Sequence, residues 1–356
     1  MKHSKRIASA AVALLLSLAL LTPTAATTRL DIDLVREQYN WGAMFAGGGN
    51  EGSFVVWHGG EIVYQRHARG HGLHVRQPLY SVTKSVVATL TGIALHRGYL
   101  TSVQQRVVDF FPEAVIAPGQ ESKNDLTIEH LLFMMSGMPG MEDNSSYRSL
   151  FSTRDSGLRA LMTPQADAPG QTFRYCSGTT PQLLVAVLQR ATGQNLLCFA
   201  QRYLFRPLGM TSVRWSSTWD GSPMGGLGIH MSPCDMLRFG QLHLQNGLWE
   251  GQRIFSANWV HQMRPRVRPQ LDAFMPEESQ ELENFSLYYG YMWWGGQNDL
   301  GTFFSAMGLG GNIISVYPAL DLVVVRTGSQ DRMLRVFTWG VTNVSRVFPI
   351  FPLLAF

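Results

Sequence analysis

The sequence predicts an α+β fold, in which an antiparallel sheet is flanked by helices and interrupted by a mostly helical insertion domain. Segments typical of strands lie towards both ends of the chain, whereas the pattern between about residues 125 and 262 is mainly helical. We therefore assign residues 27–115 and 286–356 to a sheet domain. Residues 116–285 are assigned to a mainly helical domain, which ends in a polar loop at 264–285.

The predicted strands are short segments rich in β-branched and aromatic residues. Residues 54–57 and 62–64 have this composition, and Gly59 and Gly60 lie between them, which is typical of a β-hairpin. Three strands are predicted after the helical region, at residues 302–305, 313–316 and 322–325. The sheet is thus expected to combine an early hairpin with late strands.

The predicted helices are bounded by capping residues. The apolar run at residues 86–95 has helical length and ends before Gly98, so a helix is expected to begin at Ser81. Ser232 and Pro233 are typical of a helix start, because serine caps the first turn and proline fits its first position. Further helices are predicted to begin at Thr127, to span residues 180–191 before Gly193, and to span residues 332–347.

The N-terminal segment, residues 1–26, resembles a secretory signal peptide. Lys2, Lys5 and Arg6 precede an apolar stretch of about 15 residues, which is short for a membrane span. We expect a cleaved leader and a secreted or periplasmic protein with no stable membrane span; an uncleaved anchor is the alternative. The formal charge of +4 falls to +1 without these three residues. The remaining balance gives no reason to expect a nucleic-acid partner.

Ser81 and Lys84 form the first candidate catalytic pair. Residues three apart lie on the same face of a helix, so a lysine amine can contact the serine hydroxyl. A serine alone is a poor nucleophile, and a neighbouring base activates it. Only four lysines occur beside 25 arginines, and lysine, unlike arginine, can exchange a proton near neutral pH. At the start of a helix, free backbone N–H groups also favour the negative charge that develops during acyl transfer.

Tyr175 and a glycine-rich segment supply the other candidate elements. A turn at residues 169–174 brings Tyr175 to the start of a helix, and a nearby ammonium would make its phenolate more accessible. Tyr175 would then take the Ser81 proton and return it to the leaving group. The segment at residues 306–312 follows a predicted strand, where backbone N–H groups could complete an oxyanion hole. Taken alone, packing of an aromatic ring under a loop is the favoured explanation for Tyr175, and a structural turn is the default for the glycine segment.

Several short motifs occur in one order between about residues 45 and 345. They are SVTKS at 81–85, LTIEHLL at 126–132 with Ser136 and Gly137, YCS at 175–177, PLGM at 207–210, GGLG at 225–228, DMLRFG at 235–240, and the closing glycine segment with Pro318. Together they resemble the serine β-lactamase-related hydrolases. This family includes class C β-lactamases, D-alanyl-D-alanine carboxypeptidases, esterases and 6-aminohexanoate-oligomer hydrolases. The resemblance implies a β-lactamase/transpeptidase-like fold.

The resemblance also implies roles for individual residues. Ser81 is similar to the acylated nucleophile, Lys84 to its partner and Tyr175 to the tyrosine of the family's Tyr-x-Asn motif. Gly308 resembles the glycine of the Lys-Thr-Gly motif, which makes the Leu309 N–H the second oxyanion donor beside that of Ser81.

Two positions depart from the family pattern. Ser177 stands where the family has asparagine, and Ala306 stands where it has lysine or histidine. Both polar groups that would hold a β-lactam are therefore missing. We predict a serine hydrolase acting on a small ester, amide or peptide-like substrate. A β-lactamase or D-Ala-D-Ala carboxypeptidase, and an inactive binding protein on the same fold, are the alternatives.

No metal or other cofactor is predicted. His67, His71 and His74 have a spacing that suggests a metal site, but glycines between them break the helix that would align them. Neither HExxH nor GxSxG occurs, which argues against a zinc protease and an α/β-hydrolase. The cysteines show no disulfide framework; Cys198 is expected in the core, and Cys176 is an alternative nucleophile.

Overall fold

The computed structural model describes residues 30–36, 51–139, 149–267 and 287–328. The predicted leader, most of the polar loop at 264–285 and the predicted helix at 332–347 lie outside these residues.

The described strands form one large and two small sheets. In chain order they are β1 (Glu51–His58), β2 (Glu61–His67), β3 (Gln77–Pro78), β4 (Arg214–Trp215), β5 (Ile229–Met231), β6 (Leu248–Trp249), β7 (Gln252–Arg253), β8 (Leu287–Tyr289), β9 (Trp294–Asn298), β10 (Gly301–Gly308), β11 (Asn312–Tyr317) and β12 (Leu322–Gly328). The large sheet is antiparallel with the order β2-β1-β12-β11-β10-β9-β8. The hairpin β1–β2 thus pairs with the last described strand, which confirms the predicted antiparallel sheet.

The described α-helices surround this sheet. They are α1 (Val82–His96), α2 (Ile128–Leu132), α3 (Ser156–Leu161), α4 (Thr179–Thr192), α5 (Leu196–Ala200), α6 (Pro233–Leu244) and α7 (Ala257–Met263). A π-helical turn at Gln201–Phe205 continues α5, and 3₁₀ turns lie at Val107–Phe110, Glu121–Asp125 and Pro318–Leu320. Among the described residues, no single helix is long and apolar enough to cross a membrane. Helix α4 and the segment Leu196–Phe205 reach that length and hydropathy only together, and the pair is bent by 74°.

The predicted helix boundaries are confirmed by their caps. Thr127 Oγ1 accepts a hydrogen bond from the His130 N–H at 3.3 Å, and the Thr127 N–H donates to His130 Nδ1 at 3.2 Å. Ser232 Oγ accepts from the Asp235 N–H at 3.2 Å. Gly193 ends α4 with φ of 67°, a left-handed conformation that favours glycine.

Helix α1 lies in the centre of the molecule and is buried from Val82 to Ala94. It packs on β10 and β11 on one side and on α4 on another. Gly92 lets α7 approach closely, because a Cβ there would lie 2.5 Å from Trp259 Nε1. Since α1 is covered on all sides, polar side chains on it must find partners inside the protein.

His243 ties α6 to α1 inside the core. Its Nδ1 donates to the Phe239 carbonyl at 2.8 Å, and its Nε2 lies 3.0 Å from Thr89 Oγ1 on α1. The imidazole is packed against the rings of Phe239 and Trp293, with centroids 4.6 and 4.7 Å away. Burial lowers the pKa of His243 to about 4.

We expect His243 to weaken the fold in acid. Its ordinary pKa is 6.5 and its folded pKa is about 4, so the unfolded chain binds more protons between these values. The neutral imidazole contributes fully to the free energy of unfolding above pH 6.5, and this contribution is lost as the pH falls towards 4. The total loss is about 3 kcal/mol. Urea unfolding at pH 7 and pH 4.5 measures the loss. In His243→Gln, the free energy of unfolding should fall between pH 7 and pH 4.5 by much less than in the parent, because the titrating group is gone. In the exposed control His74→Gln, it should fall by the same amount as in the parent. Equal declines in all three proteins would contradict the assignment.

Candidate active site

Ser81 lies at the N-terminal end of α1, at the junction with the strand segment that precedes it. Tyr80 adopts φ of 48°, so the chain turns sharply between β3 and the helix. Ser81 takes the N-cap position, with φ of −66°, and its side chain makes no capping hydrogen bond. The hydroxyl is partly exposed and is therefore available both to a substrate and to the interior.

Lys84 contacts Ser81 from one turn further along the helix. Its Nζ lies 2.8 Å from Ser81 Oγ, 2.9 Å from Ser177 Oγ and 2.9 Å from the Gly226 carbonyl oxygen. The side chain is only 1% exposed. All three N–H groups of the charged form therefore have acceptors, and Lys84 is held directly behind the serine.

Burial lowers the pKa of Lys84 to about 7, while nearby Cys176 opposes the shift. Near neutral pH, a large part of the protein thus carries an uncharged amine. An uncharged amine has two N–H donors and one lone pair. The Gly226 carbonyl can only accept, and Ser177 Oγ is the second acceptor. The lone pair is then left for the Ser81 hydroxyl, which is the arrangement of a general base.

Tyr175 completes the cluster from the turn before α4. Its hydroxyl is hydrogen-bonded to the Ser81 side chain, and its ring centroid lies 4.7 Å from Lys84 Nζ. Trp294 and Tyr289 pack against it, with centroids at 5.6 and 6.0 Å. Burial raises the pKa of Tyr175 well above its usual range, and the hydrogen bond to Ser81 offsets this only in part. The expected phenolate is therefore disfavoured, because the effect of burial exceeds that of the hydrogen bond to Ser81.

Gly308 at the end of β10 lies against the chain that leads into the nucleophile. A Cβ at this position would lie 2.0 Å from the Leu79 carbonyl oxygen and 3.2 Å from the Ser81 nitrogen. Only glycine permits this approach. The next residue, Leu309, has a carbonyl that accepts a hydrogen bond from Asn312 Nδ2 at 2.7 Å. The end of β10 is thus held against the backbone that leads into Ser81.

The structure brings together Ser81, Lys84, Tyr175, Ser177 and Gly308. Ser177 serves as an acceptor for Lys84, so its hydroxyl is engaged inside the site.

Ala306 lies two residues before the end of β10, opposite Ile314, and is fully buried. It offers no polar group where the resemblance implies a cation.

Sequence reasoning missed the role of Gly226. Its carbonyl is the third partner of Lys84, and a Cβ on this residue would lie 1.9 Å from the Ser177 carbonyl oxygen. The pair Gly225-Gly226 was the available signal, because adjacent glycines permit close approach of two backbones.

The histidine and cysteine alternatives find little support. Among the described residues, no group of three or more histidine, cysteine or acidic side chains is placed to hold a metal. His67 instead shares a hydrogen bond with Ser53 Oγ at 2.9 Å. All three cysteines are free thiols. Cys176 is buried, and the expectation that Cys198 lies in the core is wrong, because Leu196, Phe199 and Ala200 take the buried side of α5.

The chain is similar to known proteins in both sequence and fold. The beta-lactamase family model matches residues 42–335. A 6-aminohexanoate-dimer hydrolase from Paenarthrobacter ureafaciens is 24% identical over 299 residues, which is 78% of this chain and 72% of that protein. Esterase EstB from Burkholderia gladioli is 31% identical over 179 residues, 44% of either chain. The octameric penicillin-binding protein homologue from Pyrococcus abyssi superposes with a TM-score of 0.61 at 17% identity, covering 84% of this chain and 74% of that one.

The fold and these relatives define the class of protein: it is a serine hydrolase. More narrowly, the family model spans well over half of the sequence, and the chain belongs to the beta-lactamase family.

Proposed function

We propose that the protein is a secreted serine hydrolase that cleaves ester or amide bonds in small molecules through an acyl-enzyme on Ser81. The observation that carries the proposal is the 2.8 Å contact between Ser81 Oγ and a buried Lys84. The leader at residues 1–26 supports secretion or a periplasmic location. The named hydrolase and esterase relatives support ester or amide substrates.

In the proposed mechanism, the uncharged Lys84 amine takes the Ser81 proton as Ser81 Oγ bonds to the substrate carbonyl carbon. The carbonyl oxygen gains a negative charge, which the N–H groups of Ser81 and Leu309 stabilise. When the bond to the leaving group breaks, the neutral Tyr175 hydroxyl donates its proton to the leaving oxygen or nitrogen. The Lys84 ammonium, whose Nζ lies 4.7 Å from the Tyr175 ring centroid, then gives the proton it took from Ser81 to the Tyr175 oxygen, which restores both groups.

Deacylation reverses these transfers with water as the nucleophile. Water gives a proton to the Lys84 amine and its oxygen bonds to the acyl carbon; the acid then leaves, and Ser81 Oγ is reprotonated. Tyr175 acts throughout as a neutral donor and acceptor, which agrees with its raised pKa.

A fluorophosphonate probe is expected to modify Ser81 alone. Intact mass should rise by one adduct, and peptide mapping should place it on the peptide with Ser81, because its hydroxyl contacts both Lys84 and Tyr175 at the start of α1. Cys176→Ala serves as the control and should be labelled like the parent. Labelling of Cys176, or unchanged ester turnover in Ser81→Ala, would refute the proposal and favour the thiol. No label and no ester turnover in the parent would favour an inactive binding protein.

We expect turnover of simple esters to exceed that of β-lactams by at least about 100-fold in kcat/KM. Ala306 offers no cation, and the Ser177 hydroxyl is engaged with Lys84. One lost charge-assisted hydrogen bond costs roughly 1.5–3 kcal/mol, which is about 10- to 150-fold, and two are missing. Nitrocefin, a penicillin, p-nitrophenyl acetate and p-nitrophenyl butyrate would be assayed side by side, with Ser81→Ala as the background. Nitrocefin turnover equal to that of the esters would favour the β-lactamase alternative.

A further inference from the structure

The three-stranded sheet beside the nucleophile has one buried and one open face. On the buried face lie Ile229, Met231 and Trp215. Pro78 of β3 lies opposite His230 of β5, and His230 lies opposite Arg214 of β4. Directly opposed residues in antiparallel strands project from the same face.

The open face therefore carries Arg214 and His230 side by side. Arg76 lies two residues before Pro78 and belongs to the same face, because side chains in extended chain alternate. Burial lowers the pKa of His230 and a hydrogen bond to the Gly228 carbonyl raises it; the nearby charges of Arg76 and Arg214 lower it further. Both arginine side chains thus lie within electrostatic reach of His230.

The two guanidinium groups leave net positive charge on this face, which favours a negatively charged partner. Among the described residues, no ion pair joins Arg76 or Arg214 to a carboxylate. Arg76 Nε is buried and has no hydrogen-bond partner among these residues. Asp235, at the start of α6, is only 2% exposed and accepts hydrogen bonds from Ser212. Asp235 thus contacts Ser212 and Arg238 rather than Arg76 or Arg214.

The basic face lies close to the reacting serine. Pro78 precedes Ser81 by three residues, which span at most about 10 Å of extended chain. Ala306 lies in the large sheet, so this face is separate from the position where the resemblance implies a cation. A substrate held with its carbonyl at Ser81 could therefore extend a second polar group over β3 and β5.

We infer that the open face of this sheet, with Arg76, Arg214 and His230, binds a carboxylate carried by the substrate at the end remote from the scissile bond. The inference rests on the proposed function and makes the preferred substrates acidic esters or amides. Because Arg214 is exposed, each contact is moderate in strength and sensitive to salt.

Two matched pairs of substrates test the inference. The first compares the p-nitrophenyl ester of adipic acid with that of adipamic acid, so that only the end of the acyl chain changes from charged to neutral. The second compares the hexanoyl esters of 4-hydroxybenzoate and 4-hydroxybenzamide, which places the charge on the leaving group. We expect at least a tenfold higher kcat/KM for the acid in one pair at low salt, falling severalfold in 0.5 M NaCl.

Variants identify the residues responsible. Arg214→Gln and Arg76→Gln should each lower the ratio of acid to amide by about threefold to tenfold, and Arg214→Lys should retain part of it. The exposed control Arg206→Gln should leave the ratio and both rates as in the parent. A ratio near one in both pairs, or a ratio that survives when Arg76 and Arg214 are both replaced, would overturn the inference.

A binding measurement separates this inference from the proposed function. If Ser81 hydrolyses none of the four esters, the hydrolase proposal fails. Calorimetric titration of Ser81→Ala with adipate and adipamide then decides the anion site by itself. Saturable adipate binding that Arg214→Gln weakens supports the site; no binding, or equal binding of both ligands, refutes it.

Discussion

Replacement of Lys84 by methionine is expected to lower kcat by about 10²–10⁴-fold while leaving the protein folded. This is the usual loss when a general acid–base group is removed. Methionine has a similar length and fills the buried space, but it offers no lone pair to the Ser81 hydroxyl. Ester turnover and thermal unfolding of the two proteins provide the comparison.

Lys84→Arg separates proton transfer from an effect of charge, because arginine keeps the positive charge but cannot release its proton near neutral pH. It should be as inactive as Lys84→Met. In the parent, kcat/KM should rise with pH through about 7 as the amine loses its proton, in line with the pKa of Lys84. Activity of Lys84→Arg near the parental level would show that Lys84 acts only through its charge.

EDTA should leave the parental rate unchanged, and a rate restored by added metal would reopen the histidine alternative.

Tyr175→Phe is expected to lower kcat by about 10²–10⁴-fold through loss of the proton donor to the leaving group. The ring is retained, so its packing against Trp294 and Tyr289 should persist. The effect should be larger for an alkyl ester or an amide than for a p-nitrophenyl ester, whose leaving group needs no proton.

The double variant Lys84→Met/Tyr175→Phe should lose far less than the product of the single losses, because groups that act as a unit are not additive. Losses that multiply would mean that the two residues do not share one proton path. Trp294→Phe is a control for packing, since it alters the neighbouring ring without removing a hydroxyl from the site.

The sequence predicts the contact between Ser81 and Lys84 because helical periodicity alone brings residues three apart together. The caps at Thr127 and Ser232 were equally readable, since each depends on neighbours within three residues. Tyr175 was a weaker candidate, because the turn before it is equally compatible with an aromatic ring that only packs, and the family motif strengthened it. Its distance from Ser81 along the chain carries no local signal.

The protonation states could not be read from the sequence. Charge proximity alone suggests a Tyr175 phenolate beside a Lys84 ammonium, whereas burial moves both pKa values towards the neutral forms. The Gly226 carbonyl was also missed. It is a backbone acceptor 142 residues from Lys84 in the sequence, and the glycine pair at this position indicates close packing but does not identify the partner. Cys198 shows the same limit: its apolar neighbours suggested burial, but the orientation of a short helix decides which side chains face the core.

Because Lys84 is buried only in the folded protein, the catalytic base depends on folding. On the proposed mechanism, an ordinary solvated lysine with its usual pKa would leave Ser81 without a base at neutral pH. The base appears only when Ser177 and Gly226 have closed around the amine and excluded water. A nascent or partly unfolded chain is therefore expected to have no acyl-transfer activity. This activity arises only in the last stage of folding. On this mechanism, folding itself creates the catalytic base.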